Sequence, residues 1–102
     1  MSDRIQRLRT EFEALTLTWN EETKFFSSTS QISSHPAYQS IIGMGPVAIP
    51  WILRELKKGP DHWFHALKAI TGADPVAPAD CGNVRKMTDA WLSWGRERYL
   101  IE

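Results

Sequence analysis

The sequence predicts an all-α fold of about five helices, and three observations predict it. Apolar residues recur in steps of three and four from Ile5 onward. Gly and Pro interrupt the chain at Gly43, Gly45-Pro46, Gly59-Pro60 and Gly72, spacings that suit short helices. No stretch alternates polar and apolar residues between turn signals, so nothing reads as strand.

The first helix is the most periodic. Ile5, Leu8, Phe12, Leu15 and Trp19 form one apolar stripe over residues 3 to 24, and Phe26 falls on the same seam. Ser2 or Asp3 can cap it. Its other faces carry Arg4, Arg7, Arg9, Glu11, Glu13, Glu21 and Glu22. The seam can fold back onto a core or pair with a second copy of the chain, as in a homodimer. Residues 27–34 are polar and serine-rich and read as a linker, the best candidate for a boundary.

Pro36 sits where a helix tolerates a missing N–H, so a second helix starts near His35. Tyr38, Ile41 and Ile42 give it an apolar face, and Gly43-Met44-Gly45 ends it. A third helix runs from Pro46 to about Lys58, with Ile49, Ile52, Leu53 and Leu56 on one face. Pro50 lies one turn inside, so this helix either starts later or has a distorted first turn. Asp61 caps a fourth helix, residues 62–71, with Trp63, Leu67 and Ile70 inward and Gly72 at its end. After a Pro-rich loop, a fifth helix spans residues 83–98, and Val84, Met87, Trp91 and Trp94 repeat the 3-4-3 spacing.

Length and composition bound the function. One hundred and two residues suit one domain with a core of its own. Twelve basic and twelve acidic residues give zero formal charge, which disfavours a phosphate-binding field. The lone Cys81 cannot form an internal disulfide, and a reducing cytoplasm suits it. The N-terminus lacks the apolar run of a secretory signal. No apolar stretch approaches the roughly 20 residues of a membrane span. A cytoplasmic protein away from membranes is the expectation.

Candidate chemistry is sparse. His62 and His65 stand at i, i+3, a spacing that can serve a metal, but no partner ligand stands at suitable spacing in that helix. Packed or solvent-facing histidines are the ordinary reading. Cys81 has no nucleophile signature around it and reads as a loop thiol. No catalytic residue, cofactor or metal is expected, and the protein does not read as an enzyme. A helix-turn-helix over residues 42–56 is the alternative, a small nucleic-acid-binding regulator. Its polar readers Arg54, Glu55, Lys57 and Lys58 lie towards the C-terminal end, where direct readout is uncommon.

Five tryptophans are the unusual feature. Trp19, Trp63, Trp91 and Trp94 fall on helix stripes and read as core. Trp51 departs from its stripe and is expected to be partly exposed. Large aromatics and Arg carry much of the energy of protein interfaces. The expected partner-binding residues are therefore Trp51, Tyr38 and Arg54, with Arg4 and Arg7 on the first helix.

The block Gly45-Pro46-Val47-Ala48-Ile49-Pro50-Trp51-Ile52-Leu53-Arg54-Glu55-Leu56, followed by Trp63-Phe64-His65-Ala66-Leu67-Lys68-Ala69-Ile70-Thr71-Gly72, resembles a bacterial HEAT-type helix pair. Trp91-Leu92-Ser93-Trp94 is similar to the start of a next repeat helix. Three repeats are not present, so the resemblance implies a compact HEAT-like domain rather than a free solenoid. The expected organisation is one domain, 1–102: an N-terminal helix 1–26, the linker 27–34 and HEAT-like helices 35–102. Ser34-His35-Pro36-Ala37-Tyr38-Gln39 with Pro60-Asp61-His62-Trp63-Phe64 also resembles a family of short bacterial proteins encoded beside a second small protein. That resemblance implies an antitoxin or immunity component that binds a protein partner from the adjacent gene.

Overall fold

A computed structural model describes residues 2–59 and 62–102. Among these the chain is all-α and contains no strand. In order it forms α1 Ser2–Thr23, α2 Thr29–Ser33, α3 Pro36–Gly43, a 3-10 turn Gly45–Ala48, α4 Ile49–Lys58, α5 Phe64–Thr71, a 3-10 turn Pro78–Asp80 and α6 Val84–Glu97. The residues divide into two units, one ending at Ala48 and one beginning at Ile49. The division does not fall in the serine-rich stretch. The cap expected of Asp61 and the stop expected of Pro60 lie outside the described residues.

In the first unit α1 packs on α3. Phe12 and Trp19 are buried, but the ends of the stripe are not: Ile5 and Phe26 are each 44% exposed. The expected seam is therefore a core contact only in its middle. Thr16 and Thr23 share the buried face, and their hydroxyls donate back to the carbonyls of Phe12 and Trp19 at 2.8 and 2.6 Å. These bonds let two polar side chains go inside without an orphaned group. Asp3 lies inside the first turn of α1 and not at its cap.

The stretch expected to be a linker is instead pinned. Ser28 caps α2 by accepting from the Gln31 amide, and Ile32 is buried. The Trp19 indole donates to the Ile32 carbonyl at 2.9 Å and its ring lies 4.9 Å from that of Tyr38. One indole thus joins three elements of this unit. Serine-rich composition signalled a loop, but serine is also a strong N-cap.

In the second unit α4 packs on α5 and α6. Both readings of Pro50 hold: a 3-10 turn precedes it, and the α-helix begins at Ile49, so its missing N–H falls in the first turn. Ile49, Ile52, Leu53 and Leu56 are buried as the spacing predicts. Gly72 ends α5 in the left-handed region at φ 68°. Asn83 caps α6 by accepting from the Lys86 amide at 3.1 Å. Gly95 in α6 lets the helix approach closely, because a Cβ there would lie 2.6 Å from Leu53 Cδ1 and the buried Leu53 side chain would have to shift.

Candidate interaction surfaces

The expected contact residues separate into two groups. Arg4, Arg7 and Arg54 are exposed. Tyr38 and Trp51 are not: Tyr38 is fully buried and Trp51 is 8% exposed. This corrects the surface role expected of both aromatics. The third helix of the sequence was expected to show an apolar stripe with Trp51 off it. The structure gives α4 a wider buried face that takes in Trp51, so departure from a four-residue stripe did not mean exposure. The same burial of Ile49, Trp51, Ile52 and Leu53 leaves the N-terminal half of α4 without side chains for reading bases.

In the second unit, Arg54 and Lys57 share one face of α4 at i, i+3 and line a cleft with Tyr99, Leu100, Ile101 and Glu102. Its volume is about 750 Å³. Tyr99 follows α6 and has φ 59°, in the left-handed region. Its N–H donates to the Arg96 carbonyl at 3.0 Å, and the Leu100 N–H to Gly95 at 2.9 Å. That pair of bonds is a Schellman ending, whose left-handed position is usually Gly. A tyrosine there costs about 1–2 kcal/mol. Its ring does not recover this by burial, since Tyr99 is 94% exposed.

Beside this ending, Arg98 lies over the Trp94 ring at 4.4 Å and donates to the Trp94 carbonyl at 3.3 Å. Trp94 meets Trp91 edge-on at 5.3 Å. Trp91 is fully buried, whereas Trp94 is half-buried and Val84 is 46% exposed. The stripe of the last helix is thus buried only in part.

In the first unit a second cleft of about 710 Å³ is lined by Arg4, Ile5, Leu8, Gly43, Met44, Pro46 and Val47. Its lining is apolar except for the guanidinium of Arg4. At the other end of α1, Phe25 is 89% exposed and Phe26 44%. Glu21 pairs with Lys24 at 3.2 Å, and Glu22 with His35 at 2.7 Å.

His62, His65 and Cys81 are exposed. Among the described residues no group of three His, Cys, Asp or Glu side chains could hold a metal ion. No described helix is long and apolar enough to cross a membrane.

Tyr99 and Phe25 were missed by reading the sequence for stripes. Their signal was positional: each stands just past the end of a helix, where no periodic face can claim it. No family model, curated protein or solved structure matches the chain.

Proposed function

We propose that this chain is a non-catalytic protein-interaction module that binds a protein partner through the cleft of Arg54, Lys57 and Tyr99. The observation that carries the reading is Tyr99, held in a costly backbone conformation with its ring almost wholly in solvent. Strain at an exposed position points to a role outside folding. Tyr and Arg are the residue types that dominate interface energetics, and here they face one cleft. Tyrosine also presents a large rigid surface at low entropic cost.

The resemblance to short bacterial proteins encoded in pairs supports a finer reading, that of a cytoplasmic antitoxin or immunity component. Such a protein binds the product of the adjacent gene and neutralises it. The experiment is to express that product alone and together with this chain. Growth arrest relieved by the chain, with co-purification of the two proteins, supports the reading. A harmless neighbour that does not co-purify removes it.

A further inference from the structure

We infer that the protein segment received by the cleft of Arg54, Lys57 and Tyr99 is acidic and extended. It presents two carboxylates at alternate positions, one for each cation, and an apolar side chain that packs on Tyr99, Leu100 and Ile101. This inference rests on the reading of that cleft as a protein-binding site and names the chemistry of what it binds.

Their ionic surroundings set these two cations apart. In the second unit Lys58 pairs with Glu55 at 2.8 Å, Lys68 with Asp74 at 3.4 Å and Lys86 with Asp80 at 3.7 Å. Arg96 Nε donates to the Glu102 carbonyl at 3.3 Å, and Arg98 lies over the Trp94 ring. Among the described residues no acid pairs with Arg54 or Lys57. Arg85 is the other such cation of this unit, and it stands at the start of α6, away from the Tyr99 end. The helix dipole favours a cation in the last turn of α4, which accounts for Lys57. It does not account for Arg54, which stands before that turn. Glu102 also lines the cleft, with one side-chain carboxylate against two cations.

Spacing and lining set the form of the occupant. Arg54 and Lys57 stand at i, i+3 on α4, which places their Cβ atoms about 5–6 Å apart. Alternate residues of an extended chain project to one side about 6.6 Å apart. Two carboxylates at such positions meet both cations at once, each through a charge-assisted hydrogen bond. The next alternate residue projects to the same side, and the remaining lining offers it Tyr99, Leu100 and Ile101. Leu100 and Ile101 are half-buried, and Ile101 packs over Gly95, where a Cβ would lie 3.3 Å from its Cγ1. This part of the cleft is therefore anchored on α6. A nucleic-acid strand asks for a basic groove along its backbone and a series of stacking rings. The cleft offers two cations, one ring and two aliphatic side chains, which suit a peptide better.

The test titrates capped synthetic peptides into the full isotope-labelled chain and follows its backbone amide resonances by NMR. The probe peptide carries Glu at two alternate positions and Leu at the next, with Ser between them. The control peptide has Gln in place of each Glu. The Glu peptide saturably shifts the amides of Lys57, Leu100 and Ile101. It binds at least about tenfold more tightly than the Gln peptide, and the gap closes at high salt. Arg54→Glu combined with Lys57→Glu, at two exposed positions, reverses the preference towards a peptide with Lys in place of Glu. The same spectra report that this variant is folded. No shift at the cleft with the Glu peptide overturns the inference, and so does equal binding of the Glu and Gln peptides. A double variant that still prefers Glu, or a single-stranded oligothymidine that displaces the Glu peptide, overturns it as well. Binding of the adjacent gene product without these effects would keep the cleft as a protein site and remove the acidic class of its occupant.

Discussion

One imidazole joins the end of α1 to the start of α3. His35 Nδ1 accepts the Ala37 amide N–H at 3.1 Å, and Nε2 lies 2.7 Å from a Glu22 carboxylate oxygen. With Nδ1 occupied as an acceptor, the ring proton belongs on Nε2 and is donated to Glu22. His35 is thus an N-cap and a tertiary tie together.

Removing this side chain removes both bonds. The cap is worth about 1 kcal/mol, and the exposed bond to Glu22 adds a smaller amount. His35→Ala therefore lowers unfolding stability by about 1–2 kcal/mol in urea titration. His35→Asn keeps a capping oxygen and recovers most of it. Equal loss in the two variants would show that the cap does not matter.

Trp19 makes a comparable tie to α2. Trp19→Phe keeps most of the apolar volume but loses the donor to the Ile32 carbonyl. The expected cost is about 1–2 kcal/mol, concentrated in α2. Hydrogen exchange reads this as faster exchange of the Ile32 and Ser34 amides, which bond to Ser28 and Ser30. Uniform loss across α1 and α2 would contradict a local tie.

Gly95 sets how closely α6 approaches Leu53. Gly95→Val drives two methyl groups towards a fully buried side chain and Ile101. The overpacking costs about 2–3 kcal/mol, more than any helix propensity gained over glycine. Thermal unfolding checks the sign. An unchanged or raised melting temperature would mean that α4 and α6 are not tightly packed there.

Tyr99 behaves in the opposite sense. Tyr99→Gly relieves the left-handed backbone and loses no buried ring, so it raises stability by about 1 kcal/mol. A lower unfolding midpoint would show that the ring stabilises the fold and that the left-handed backbone at Tyr99 carries no net cost.

Much of the fold was legible in the sequence because stripe and punctuation agreed. The mid-stripe residues Phe12, Trp19, Ile52, Leu53 and Leu56 are buried, and Gly72 ends α5 as its position implied. The serine-rich segment was not legible, because one buried Ile32 and one indole bond decide it, and neither is periodic. Exposure was read less well than helicity. Helical spacing tells which residues share a face but not how wide the buried face is. For that reason Trp51 turned out to be core, while Ile5 and Val84 lie on stripes yet reach solvent; Tyr38 is buried on the apolar face its spacing gave it, against the contact role its residue type suggested. Arg4 and Arg54 were named from residue type alone, and each lines a cleft that needed distant partners to form.

The most direct test of partner binding titrates the purified product of the adjacent gene into the wild-type chain and into Tyr99→Gly and Arg54→Ala, by calorimetry. The account predicts measurable wild-type affinity and a loss of at least about 2 kcal/mol in each variant, with Tyr99→Gly weaker in binding although more stable in folding. Binding that is absent in the wild type, or unaltered in both variants, would contradict it.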